Sequence, residues 1–295
     1  MKNKWVSLLL ILLVYAVSYG AGGAALYFFS GYLNPILNMF VATTIATVIV
    51  FLFSLPFGNA SVYDPYWSVQ PPFIILGFYL VYGITLRPAH LLVLLPLLIW
   101  AVRLTVNWAV GFENLDWQDW RYTDLKRDNP KTAQLVMFLG VMYMPTCLVF
   151  FGTLPYWNLM NILNPAPLFP AIGGIIILIG TFFEALGDIQ MKAYKKEANP
   201  APYINRGLWK YSRHPNYFGE ILIWVGLAAA GLQNFNIWGI LGLALIVFLF
   251  YFISIPMMEK HMLGKRPEYA EYQKNVSMLI PMPPKEENVS VDVAK

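Results

Sequence analysis

Long apolar runs broken by short polar segments set the rhythm of this chain. Eight runs approach or reach the roughly 20 residues a helix needs to cross a bilayer: 5–29, 36–57, 72–86, 89–110, 133–154, 168–187, 215–232 and 237–257. They predict an all-α, polytopic membrane bundle of about eight transmembrane helices, or seven if the short third run does not cross. That third run is either re-entrant or extends back to Trp67. The first run is too long for a signal peptide and lacks a small-residue cleavage site, so it is expected to stay as an anchor.

Three polar segments interrupt the runs: "GNASVYDPYWSVQPP" (58–72), "GFENLDWQDWRYTDLKRDNPKT" (111–132) and the basic stretch 188–214. Trp117 and Trp120 in the second suit a helix lying at headgroup level. The intervening loops, such as "PYWNLMNILNPAP" (155–167), are nearly uncharged. The organisation expected is a membrane hairpin over 1–57, a main membrane domain over 58–281 and a polar, unstructured tail over 282–295.

Charge placement orients these runs. With the N-terminus inside, 18 of the 20 Lys and Arg residues fall on one side, and Arg87 alone lies opposite, with Arg103 inside the fourth run. The positive-inside rule then puts both termini in the cytoplasm. Composition agrees: 58% hydrophobic and 12% charged residues, against about 25% charged in a soluble domain. The net charge of +4 is explained by membrane orientation, and no basic-aromatic module for nucleic acid is found. One cysteine, Cys147, excludes an internal disulfide framework. The three histidines are too scattered for a metal centre, so no metal is expected.

Candidate chemistry gathers at one junction, "YSRHPNYFGE" (211–220). Pro215 suits the first turn of a helix. Arg213 and His214 then stand beside unpaired backbone N–H groups, where phosphate is favoured; contact with lipid phosphate is the alternative. Asn216 and Glu220 share one helix face, and Glu220 lies about a turn deep, where an unpaired acid is costly. Glu184, Asp188, Lys192 and Lys195 recur as one stripe from the sixth run into the polar segment, either a ligand contact or a solvated ladder of ion pairs. Arg103 is costly if it lies near the membrane centre and can instead reach the cytoplasmic end. Asn107, one turn on, extends a polar track toward "DWRY" (119–122) and Arg121.

There is no strand–G-x-G-x-x-G–helix unit and no P-loop, so hard chemistry would come from an organic cofactor held in another way. "GLWKYSRHPNYFGE" (207–220) resembles the C-terminal signature of membrane steroid 5α-reductases and sterol reductases, shared more loosely by isoprenylcysteine carboxyl methyltransferases. With "DPYWS" (64–68), "DWRY", "EALGDIQMKAYKK" (184–196) and "EYQKNVSMLIP" (271–281), the chain looks most like the bacterial-type branch beside the 5α-reductases. The resemblance runs from about residue 60 to 281.

That resemblance implies a membrane-bound, NADPH-dependent reductase of a conjugated double bond in a steroid-like or other lipid. It would sit in a bacterial inner membrane or the endoplasmic reticulum, with the cofactor on the cytoplasmic side. It implicates Glu184, Asp188, Lys192, Lys195, Tyr211, Asn216, Glu220 and Tyr272 in holding NADPH; the residue reading adds Arg103, Arg121, Arg213 and His214. Glu184 replaces the asparagine common in the family. For catalysis the family uses an acid and a tyrosine: Asp64 is the approximate counterpart of the acid, Tyr66 beside it can supply the phenol, and Trp100 occupies the place where the tyrosine is expected. Trp67 and Trp100 are read as packing residues. The alternatives are a methyltransferase using S-adenosylmethionine and a catalytically silent protein of the same fold.

Overall fold

The computed structural model describes residues 3–234 and 237–285. Among these, the only regular structure is helical. In chain order the helices are α1 (Lys4–Phe28), α2 (Pro35–Phe57), α3 (Tyr66–Tyr82), α4 (Pro88–Gly111) and the short α5 (Trp120–Asp128). They are followed by α6 (Ala133–Val136), α7 (Met144–Met160), α8 (Leu168–Lys195), α9 (Pro215–Ala230), α10 (Ile237–Phe248), α11 (Ile255–Lys265) and α12 (Tyr269–Asn275). Two π-helical turns, Met137–Tyr143 and Leu249–Ser254, fuse α6 to α7 and α10 to α11.

Six of the resulting helices are long and apolar enough to cross a membrane: 4–28, 35–57, 88–111, 133–160, 168–195 and 239–265. The other two expected spans are α3, which does reach back past Trp67, and α9, at 17 and 16 residues. These lengths lie at and just below the lower limit of about 17 residues for a crossing helix. The polytopic helical bundle stands, with two of its eight members short. The expected tail falls largely outside the described residues; within them, Met282 N donates to Tyr211 O and Lys285 N to Asn275 O.

Local chemistry sets the helix ends. The Asn3 and Asn34 side chains accept from the first free N–H groups of α1 and α2, as N-cap residues do. Gly58 ends α2 in the left-handed region at φ 58°, which a residue without Cβ enters freely. Pro215 opens α9 as expected.

The most extensive contact in the bundle is between α8 and α9, with α4 laid against α8 and α7 between α3 and α10. Glycines make the α8–α9 seam: a Cβ on Gly180 would lie 2.6 Å from Gly219 O, and one on Gly173 would lie 2.5 Å from Gly226 O. The backbones therefore touch, and the side chains flanking the seam are forced together. Beneath it lie Trp100 and Trp224, fully buried and edge to face at 5.9 Å.

All three polar segments converge on one end of the bundle. There the 58–65 linker, the C-terminal turns of α4 and α8, the start of α9, α5 and the Leu249–Ser254 turn surround one cavity. Lys4 Nζ donates to Val110 O and ties the start of α1 to the same end.

Candidate active site

The deep wall of the cavity is built on the α8–α9 seam. Glu184 and Glu220 emerge on either side of Gly219, both buried. Arg103, reaching across from α4, binds Glu184 Oε2 at 2.6 Å through one guanidinium nitrogen and Asp188 Oδ2 at 2.7 Å through another. Asn107 Nδ2 also donates to Asp188 Oδ2, at 3.0 Å, and Lys192 Nζ donates to Asn107 Oδ1. Glu220 is held differently. The Trp100 and Trp224 indole N–H groups donate to its two carboxylate oxygens at 3.3 and 3.1 Å. An indole nitrogen can only donate, so both Glu220 oxygens act as acceptors here.

The opposite wall comes from the 58–65 linker and α5. The Tyr122 hydroxyl donates a short hydrogen bond to Asp64 Oδ1. Burial pushes the Asp64 carboxyl up to about 7, against the downward pull of Arg121 and of the Tyr122 hydrogen bond. Burial, reinforced by the Asp64 charge, likewise raises the Tyr122 phenol. Asp119 caps α5 and grips Arg121 through both carboxylate oxygens, at 2.8 and 3.1 Å. Trp120, next along, stacks on His261 of α11 at 3.6 Å and seats α5 over the site.

Between the walls lies a cavity of about 550 Å³. Of the residues expected to form a site, it brings together Asp64, Arg121, Glu184, Asp188, Lys192, Lys195, Asn216 and Glu220. Arg103 stands behind the wall as the counter-ion of two of them. Lys195 and the Asn216 side chain face the cavity without a hydrogen-bond partner among the described residues. Arg103 Nε is buried and also lacks one.

Five expected residues lie elsewhere. Tyr66, two residues beyond Asp64, turns into the bundle, where its hydroxyl donates to Thr43 O and accepts from Thr47 Oγ1. Its ring stacks between Tyr63 and Tyr19. The Arg213 guanidinium is consumed by Glu259 Oε1 at 2.6 Å and by the carbonyls of Gln273 and Val276, which leaves it unavailable to phosphate. His214 Nε2 meets the same Glu259 oxygen at 3.1 Å, and burial lowers its pKa despite that neighbour. Tyr272 is buried with its hydroxyl on Trp209 O. Tyr211 is exposed. Together, Arg213, His214 and Tyr272 tie the C-terminal segment to the start of α9. Accordingly, Glu259→Ala strands a buried arginine and costs about 3 kcal/mol. It is expected to lower the thermal midpoint and speed proteolysis beyond residue 276, without weakening ligands in the cavity.

Sequence reasoning missed three groups: Tyr122, Tyr217, and Trp224 as a carboxylate donor. Tyr122 and Tyr217 stood inside quoted motifs, and Trp224, four residues after Glu220, occupies the same helix face. Trp100, read as packing, also holds Glu220.

The fold and cavity define a class: a helical membrane protein with one polar-walled chamber at the end of its bundle. Residues 50–276 match the family model described as a protein of unknown function (DUF1295). The chain belongs to this family and, with it, to the steroid 5α-reductase-like superfamily. It is 34% identical over 113 residues to 3-oxo-5-alpha-steroid 4-dehydrogenase 1 of Macaca fascicularis, a match covering 37% of this chain and 40% of that protein. The similarity thus spans about two-fifths of the relative's length. No solved structure matches the chain significantly.

Proposed function

We propose that this protein is a membrane-embedded reductase that saturates a conjugated double bond in a steroid-like or other lipid, with NADPH as cofactor. One observation carries the reading: a single chamber combines a carboxyl that titrates near neutrality with fixed deep carboxylates and rim lysines. Its apolar side is formed by Trp67, Leu104 and Phe250. The family membership supports it, as does the local similarity to a protein named for a 3-oxo-steroid.

The donor set fits a dinucleotide. About 550 Å³ falls within the range of small-molecule sites. Lys192, Lys195 and Arg121 would face the phosphates, with the Asn216 amide beside them. Asp188 and Glu184 would accept from ribose hydroxyls and a carboxamide. When bound, the reduced nicotinamide supplies hydride. The chain's own work is to bind, orient and protonate. Asp64, held by Tyr122, places a proton at the substrate carbonyl oxygen, as a general acid with a pKa near working pH does. Arg103, Trp100 and Trp224 fix the deep carboxylates, and the apolar side keeps water from the reacting carbon.

Methyl transfer from S-adenosylmethionine is the second reading, favoured by the three carboxyl groups Glu184, Asp188 and Glu220 in the floor, which suit a sulfonium. A silent protein of the same fold is the third. Deuteride-labelled NADPH and a membrane-soluble enone, supplied to the full chain in nanodiscs, separate them. A product heavier by two hydrogens and carrying the label on carbon is expected. A product heavier by one methyl group from labelled S-adenosylmethionine would reverse the ranking, and an unaltered enone with both cofactors would favour the silent protein.

A further inference from the structure

Tyr217 is the second phenol lining the chamber, beside Tyr122. It lies on the first turn of α9, lines the cavity, and its hydroxyl has no hydrogen-bond partner among the described residues. Its ring is clamped rather than loose: it stacks on His214 at 5.4 Å with an interplanar angle of 12°, and meets Phe250 at 5.0 Å. The charges that act on the hydroxyl are those of Arg121, Asp119 and Asp188, with Arg121 the cation among them. The other phenols nearby are committed, Tyr66 to Thr43 O and Tyr122 to Asp64.

Saturating an enone needs two proton-handling groups, one at the carbonyl oxygen and one at the α-carbon. The cavity supplies two, on separate walls. We propose that Tyr217 is the acid that protonates the substrate's α-carbon, an inference that rests on the reductase reading. With two electrons and one hydrogen delivered as hydride by the reduced nicotinamide, a C–H bond forms at the β-carbon. The π electrons move onto the oxygen held by Asp64. As the carbonyl reforms, the proton on its oxygen returns to Asp64 and the α-carbon takes a proton from Tyr217 Oη. The phenolate regains a proton from water at the cavity mouth. The double bond has then gained one hydride and one proton.

The reverse proton transfer gives a test that needs no nucleotide. Full-length protein in nanodiscs, incubated in D₂O with the saturated ketone decalone, should wash deuterium into an α-carbon on one face. Tyr217→Phe keeps both ring contacts. It is expected to lose that exchange by at least about thirtyfold, with an unchanged thermal midpoint and an unchanged NADPH-induced shift. In the complete reaction in D₂O, its product should carry α-deuterium on both faces, because water replaces the phenol. Exchange in Tyr217→Phe at the unsubstituted rate, or continued delivery to one face, overturns the assignment and leaves the reductase reading standing. No enone reduction by the unsubstituted protein removes the reductase reading itself.

Discussion

Asp64→Asn is expected to lower enone turnover about a thousandfold, within the range a positioned general acid contributes, while nucleotide affinity stays within about twofold. The amide keeps the size of the side chain and loses the transferable proton. The same group sets the pH profile. Because the Asp64 carboxyl titrates at about 7 and its protonated form is the active one, turnover is flat in mild acid. It falls tenfold per unit as pH rises beyond about 7. Tyr122→Phe removes the hydroxyl that steadies the carboxylate, so the falling limb moves to higher pH. Stability follows the same sign. The folded-state pKa lies above the unfolded value of about 3.9, so the native state holds the extra proton between about pH 4 and 7, and stability declines as pH rises through that window. A pH–rate profile and thermal midpoints across pH 4–8 check both statements.

Arg103→Leu is expected to have the largest effect on stability. Arg103 is the counter-ion of Glu184 and Asp188, and its side chain is only 18% exposed. Removing one partner of a buried ion pair costs about 3–5 kcal/mol, here with two acids stranded beside Glu220. The variant should accumulate poorly and unfold at lower temperature. Neutralising the stranded acids in the triple variant Arg103→Leu, Glu184→Gln, Asp188→Asn should restore much of the midpoint without restoring NADPH binding. Measured midpoints and binding isotherms for the single and triple variants separate the structural from the ligand-binding contribution of this cluster.

Much of the fold was legible because its signals are local. Apolar runs of membrane length and Pro215 at the start of α9 act within a few residues of where they stand. The stripe Glu184–Asp188–Lys192 was legible for the same reason, since helical periodicity alone puts it on one face. The junction 211–220 was legible only in part. Its second half, Asn216 and Glu220, reaches the cavity. Its first half is captured by Glu259, Gln273 and Val276, more than 40 residues downstream, and no local pattern announces such a partner. Tyr66 was misplaced because its side chain points inward from the first turn of α3, whereas the phenol that reaches Asp64 comes from α5, 58 residues away. The glycine seam that brings Glu184 to Glu220 likewise depends on the antiparallel register of two helices.

The central claim is that the chamber between Asp64 and the α8–α9 seam holds a reduced dinucleotide, its phosphates at the lysine rim and its ring toward Glu220. Isothermal titration of NADPH into the full chain in nanodiscs tests it most directly, alongside Lys195→Ala, Glu220→Gln and Arg213→Lys variants. The account predicts micromolar binding that weakens at least about tenfold in the first two variants and is unchanged in the third. Absence of NADPH binding, or binding that depends on Arg213 and ignores Lys195 and Glu220, would contradict it.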